Sequence, residues 1–226
     1  FKYVVSEQRA KELLQRTASY LRSDDWAPGG QRITSLYLDS PGRDFLQLQL
    51  WTCTRGAEIV QMRCEHISQG VDGLWWTVPK ALTKGRHVES AHDLRVPLIG
   101  RAEQIVRRLM PNGGWLFPSV SRLGVHQSQT QAYMQSKVHY RQPYSNSRPD
   151  HVRERLRVTH WSPHDLRRTG RTLLAELGCP HEVGEAILGH VLPGVSGDYN
   201  LYKYDKERRH WLCALDAKLQ GIISAA

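Results

Sequence analysis

Apolar positions along the chain recur with two different periods. Ala10, Leu13, Leu14, Ala18 and Leu21 follow helical spacing behind Ser6 and Glu7, which predicts an amphipathic helix over residues 6–22. Pro28-Gly29-Gly30 marks a loop across 24–31. Ser40-Pro41-Gly42 precedes a second helix running through Phe45, Leu46 and Leu50, with Arg55 near its end. The pattern then shortens to runs rich in β-branched and aromatic residues. Leu74-Trp75-Trp76-Thr77-Val78-Pro79 and His92-Asp93-Leu94-Arg95-Val96-Pro97-Leu98 flank a basic loop and predict a small antiparallel sheet over roughly 65–98. Arg101 to Met110 reads as a basic helix stopped by Pro111. A Ser-, Gln-, His- and Arg-rich stretch from 119 to 160 holds one expected helix around Gln127 to Tyr140 and a loop across Pro143 to Asp150. A closing helix is expected from about Ser196 to Leu219, with Leu212, Leu215 and Leu219 on one face and Tyr199 at its start.

Between these segments lies the most informative run. In Ser162-Pro163-His164-Asp165, Ser suits a helix cap, Pro the first turn, and Asp the partner position of a capping box. His164 and Arg167 therefore begin a helix and, three residues apart, project from one face beside its positive N-terminal field. Gly178 stops that helix. Pro180 starts another, which Gly189 ends, leaving His190 at an exposed helix end. Cations in this order suit chemistry on a phosphodiester.

Composition narrows the partner. The 226 residues can bury a substantial core and read as one domain, and the formal charge is +9. With a sequence pI near 9.6 the chain favours an anionic partner, because Lys and Arg that neutralise phosphates release counterions; the bland alternative is an inert basic surface. Cys53, Cys64, Cys179 and Cys213 show neither a Cys-x-x-Cys pair nor a disulfide framework, which places the expected setting in a reducing cytoplasm. No apolar run approaches the roughly 20 residues of a membrane span, and no signal-peptide pattern opens the chain. It begins at Phe1 without Met, so the expectation is a C-terminal portion of a longer polypeptide.

His-Asp-Leu-Arg-Arg-Thr at 164–169, Ile-Leu-Gly-His at 187–190 and Asp-Tyr-Asn at 198–200 together resemble the catalytic core of the tyrosine recombinases, in particular their prophage and genomic-island integrases. Upstream, Thr54-Arg55-Gly56-Ala57-Glu58-Ile59 is similar to the family's segment around its first catalytic Arg, and Thr83-Lys84-Gly85-Arg86 to its hairpin Lys, with Lys80 as the alternative. The resemblance spans about residues 40–219 and implies an α+β fold, mainly α with a small antiparallel β-sheet. It implies catalytic roles for Arg55, Lys84, His164, Arg167, His190 and Tyr199, with Glu58 supporting a neighbouring cation. It further implies a single catalytic domain whose DNA-binding domains lie upstream. The partner it implies is double-stranded DNA at attachment sites, with an expected homotetramer and accessory bending or directionality proteins, in the bacterial cytoplasm at the nucleoid. No cofactor and no metal are expected, consistent with the lack of a Walker A pattern, HExxH or a Mg²⁺-suited carboxylate cluster. One departure stands out: Trp51-Thr52-Cys53-Thr54 occupies a stretch where the family frequently has Gly, and this bears on the backbone at Arg55.

Other readings stay open at this level. A type IB topoisomerase-like enzyme would share the Arg, Lys, His and Tyr chemistry, and a DNA-binding module without turnover would keep the charge alone. Arg55 has a purely structural reading as a salt-bridge partner of Glu58. Tyr199 has one as packing beside Tyr202 and Tyr204, which are also rival nucleophiles. A zinc site from Cys179, His181 and His190 lacks ligand spacing. Ser162, His164 and Asp165 are too close in sequence to converge as a hydrolase triad.

Overall fold

The computed structural model describes residues 21–23, 34–36, 41–89, 91–110, 113–119, 124–129, 132, 162–190 and 202–224. At its centre is α1, Pro41–Thr52. Phe45, Leu46, Leu48 and Trp51 are buried, and so are Asp44, Gln49 and Thr52. A helix buried on so many sides must be wrapped by others. Around it stand α2 (Gly56–Val60), α3 (Arg101–Leu109), α4 (Pro163–Glu176) and α6 (Asp205–Ser224), while the short α5 (His181–Ile187) packs on α4 and α6. The fold is mainly helical with a small antiparallel sheet, as the residue pattern predicts.

That sheet has three strands in the order β3 (Ile67–Gly70), β4 (Gly73–Val78) and β5 (Leu94–Pro97). Val71 and Asp72 form the tight turn between Gly70 and Gly73, and Trp76 lies opposite Ile67 on one side and Val96 on the other. Alternation then decides which faces are covered. Trp76, Val78, Leu94 and Val96 join the helical core, whereas Trp75 is covered by the Arg95 guanidinium, 4.7 Å from its ring centroid. The span matches the expected 65–98. A separate two-stranded ladder pairs β1 (Leu21–Ser23) with β2 (Thr34–Leu36), so Leu21 and Arg22 leave the helix expected over 6–22; the rest of that helix lies outside the described residues. The helix expected at Gln127 to Tyr140, the loops at 24–31 and 143–150, and Pro111 also fall largely or wholly outside them.

The closing helix α6 begins at Asp205 rather than near Ser196, and Tyr202 to Tyr204 precede it in extended or turning backbone. Tyr204 has φ +54°, a left-handed conformation that L side chains adopt at some cost, and it sets the entry into the helix. Polar contacts then seat α6. Arg95 pairs with Asp205 at 3.3 Å, and Arg208 donates Nη1 to the Arg95 carbonyl at 3.2 Å. Farther along, Asp216 Oδ1 accepts the Trp51 indole N–H at 2.7 Å and the Arg101 backbone N–H at 3.4 Å, joining α6 to α1 and α3. Gly100, with φ +49°, opens α3 where a Cβ would collide with the Asp216 carboxylate. Among the described residues no helix is long and apolar enough to cross a membrane.

Candidate active site

The site begins where α1 stops. Cys53 takes φ +54° and turns the chain, so that Arg55 falls three residues past α1 (55 − 52) as the N-cap of α2. This is the stretch where Gly is frequent in the family the sequence resembles, and the strained conformation such a Gly would adopt freely is held here by a Cys. Its side chain is fully buried, and burial pushes the thiol up to about 12 against the opposing charges of Arg167 and Arg171. Such a thiol is unreactive. Packing and hydroxyl contacts fix the turn, with Thr52 Oγ1 donating to the Leu48 carbonyl at 2.6 Å and meeting Thr54 Oγ1 at 2.7 Å.

Glu58 grips Arg55 twice. One carboxylate oxygen accepts the Arg55 backbone N–H at 2.8 Å, and the other accepts guanidinium Nη1 at 3.0 Å. Glu58 is 1% exposed, so this pair is more than a surface ion pair, and it fixes backbone and side chain together. The contact expected between Glu58 and a neighbouring cation is therefore made with Arg55.

The second Arg comes from α4, whose start is built as the sequence predicts. Asp165 Oδ2 accepts both the Ser162 backbone N–H at 2.7 Å and its hydroxyl at 3.0 Å. One turn on, Arg167 is only 3% exposed and is held by carbonyls. Nη1 donates to the Cys53 carbonyl at 2.6 Å and Nη2 to the Leu188 carbonyl at 2.6 Å, with His190 Nε2 also 3.2 Å from Nη2. Among the described residues no carboxylate is hydrogen-bonded to it. Burial, then repulsion from Arg55, bring the guanidinium down to about 10, while Glu58, Cys53 and Glu185 oppose the fall. It remains charged at neutral pH. A cation satisfied by neutral acceptors keeps its field, which is available to an anion that approaches.

His164 stands exposed on the first turn of α4. Burial of its inner edge and the charges of Arg167, Arg168 and Arg55 hold its imidazole below the ordinary 6.5, with Asp165 opposing. At neutral pH it is an uncharged acceptor. His190 lies at the end of α5, where Gly189 at φ +61° permits two closing hydrogen bonds, Gly189 N–H to the Ala186 carbonyl and His190 N–H to the Glu185 carbonyl, both 3.0 Å. The structure thus draws Arg55, Glu58, His164, Arg167 and His190 from three segments into one neighbourhood.

Of the remaining expected residues, the structure describes the lysines but not the tyrosine. Lys84 is exposed in the loop joining β4 to β5 and has no polar partner among the described residues. Lys80 is tethered in the same loop, its ammonium donating to the Glu89 carbonyl at 2.9 Å and its backbone N–H to Asp93 at 2.7 Å. Tyr199 lies outside the described residues. Its rivals are engaged elsewhere: Tyr202 donates its hydroxyl to Glu207 at 2.9 Å, which holds the phenol above its ordinary value, and half-buried Tyr204 packs on the core. Among the described residues no three His, Cys, Asp or Glu side chains converge as metal ligands.

Three contributors were not legible in the sequence. The Cys53 and Leu188 carbonyls carry no side-chain signal, and they meet Arg167 across 114 and 21 positions. The third is Glu185, which holds His190 Nδ1 at 2.6 Å and Arg171 Nε at 3.3 Å. Its only sequence signal is a carboxylate five residues before His190, a spacing that a regular helix would not bring together.

A family model described as Phage integrase family matches residues 33–201. Among solved structures, an integrase from mycobacterium phage Brujita is similar at 18% identity and a TM-score of 0.53, over 94% of this chain and 57% of that one. The Tn1549 transposon integrase, solved in complex with transposon right end DNA, is 14% identical with a TM-score of 0.40, over 93% of this chain and 65% of that one. The chain thus spans a little over half the length of the first. No curated protein matches the chain.

Proposed function

The chain belongs to the phage integrase family, and on that footing we propose that it is the catalytic domain of a tyrosine recombinase, cutting and rejoining DNA at specific attachment sites to integrate or excise a mobile element. The observation that carries this reading is Arg167: a buried guanidinium bonded to carbonyls, flanked by His190 and by the Glu58-anchored Arg55. Two planar forks set this way match the non-bridging oxygens of a phosphodiester and stabilise the charge that gathers there during attack.

In the proposed reaction the Tyr199 hydroxyl attacks the scissile phosphorus. His164, uncharged at neutral pH, takes the phenolic proton. The bond from phosphorus to the 5′ oxygen breaks, and Lys84 protonates that oxygen as it leaves. The products are a 3′-phosphotyrosyl link and a free 5′ hydroxyl. A 5′ hydroxyl from a partner strand then attacks the link, restores the phosphodiester and returns the proton to Tyr199. Bond number is conserved, so the scheme requires no nucleotide, and the charge stabilisation falls to Arg55 and Arg167. Lys84 suits its role because its ammonium is free of the contacts that tie Lys80.

Double-stranded DNA accounts for the formal charge of +9. The same reading places a homotetramer on two duplexes, with accessory bending or directionality proteins, at the bacterial nucleoid. A nicked suicide duplex carrying the attachment site tests it. A denaturing gel should show a covalent adduct that peptide mapping assigns to Tyr199, and Tyr199→Phe should bind the duplex but form none. An adduct that survives in Tyr199→Phe, or tight binding by the wild type with no adduct, would overturn the assignment.

A further inference from the structure

His190 is fixed at both ring nitrogens, and the partner on the side away from Arg167 has no part in the reaction as derived so far. Glu185 ends α5. The closing turn allowed by Gly189 brings residue 190 back over it, first through the His190 N–H and the Glu185 carbonyl at 3.0 Å, then through Nδ1 and Oε2 at 2.6 Å. Its second oxygen faces Arg171 Nε at 3.3 Å. Burial works to raise the Glu185 carboxyl, but the hydrogen bond from His190, joined by the hydrogen bond and charge of Arg171, brings it net below the usual carboxylate range. It is ionised at neutral pH and can only accept. Nδ1 therefore carries a proton, and Nε2, facing the donor Nη2 of Arg167 at 3.2 Å, presents its lone pair.

We propose that Glu185 is a positioning residue for strand cleavage, which fixes the tautomer and direction of His190 and supplies the counter-charge that lets it change from acceptor to donor when a phosphate arrives. The inference rests on the reading of His190 as a phosphate-facing group. A phosphate oxygen, like the free Nε2, only accepts. When the phosphate draws the Arg167 N–H away, His190 contributes a hydrogen bond only by taking a proton from solvent onto Nε2, and it returns that proton when the phosphate leaves. Around the imidazole, α4 presents Arg167 and Arg171, α5 presents Glu185 and, 3.9 Å from Glu185, His181, and Arg55 and Glu58 stand beyond Arg167. Of that set, Glu185 is the carboxylate in direct contact with the ring, at 2.6 Å.

The test compares wild type, Glu185→Gln and, as a control for lost charge on the same helix, the exposed Glu182→Gln. Side-chain ¹⁵N shifts read the His190 tautomer in the protein without DNA, and single-turnover adduct formation on the nicked duplex is followed against pH. Wild type and Glu182→Gln should hold the Nδ1–H tautomer. Glu185→Gln should populate Nε2–H, slow adduct formation about tenfold or more and alter its pH profile, with duplex affinity nearly unchanged. A wild-type His190 in the Nε2–H form would overturn the proposal even where Glu185→Gln fails to fold, and so would wild-type rate and pH profile in a folded Glu185→Gln. Wild type that holds the Nδ1–H tautomer yet forms no adduct would sink the strand-transfer reading while sustaining the contact.

Discussion

At the scale of single residues, the site separates a fixed charge from a titrating one. Arg167 is charged throughout the working range, but His164 is useful as a base only when unprotonated. Because burial first, and then Arg167 and Arg168, hold its imidazole below the ordinary 6.5, the neutral form persists to lower pH than in a free His. The acid limb of adduct formation should therefore lie below 6.5. Arg168 is exposed and pairs with Asp165 at 2.7 Å, so Arg168→Gln removes a lowering charge and frees a raising one. Both changes favour the imidazolium. The acid limb in Arg168→Gln should move to higher pH, and a limb that stays put would exclude His164 as the base. The His-x-x-Arg spacing and the capping box were legible because they are local. The carbonyls that hold Arg167 were not, since backbone acceptors have no sequence signature and arrive from distant segments.

At the scale of elements, α4 passes close to the end of α1 and the turn after it where Gly170 meets Leu50 and Cys53. A Cβ on Gly170 would lie 2.5 Å from Cys53 Sγ and 3.1 Å from the Leu50 carbonyl. The strained Cys and the bare Gly are thus two halves of one contact. Gly170→Ala should destabilise the protein by about 2 kcal/mol or more through overpacking. In a Cys53→Gly background most of that cost should vanish, leaving a coupling of about 1–3 kcal/mol in a double-mutant cycle read by urea denaturation. Additive effects would show that Sγ does not set the helix separation. Periodicity revealed α1, α3, α4, α5 and α6, the sheet and the stops at Gly178 and Gly189, because each has a hydrophobic repeat or a positive-φ glycine behind it, but it missed the short α2 that Arg55 caps. It failed where long-range pairing wins, as at Leu21 and Arg22, which satisfy helical spacing but pair with Leu36 and Ser35. It also failed at Tyr204, where no Gly or Pro announces the turn before α6.

At the scale of the whole molecule, Asp216 is the junction on which the helices agree. Its carboxylate joins α6 to the α1 indole and to the start of α3, 165 and 115 positions away. Asp216→Ala strands the N–H of Trp51, which is 7% exposed, and should cost about 1–3 kcal/mol, seen as a lower urea midpoint with an unchanged slope. Asp216→Asn keeps an acceptor and should lose less; equal losses would assign the effect to charge rather than to the indole bond. Arg55 and Arg167 hang on this arrangement, since Arg167 reaches the turn that follows α1. The junction also has a temporal meaning. α1 leaves the ribosome long before α6 is synthesised, so the nascent chain must wait for nearly all of its described elements before the central helix finds its last partner. A half-made chain bound to the ribosome is thereby denied a finished site.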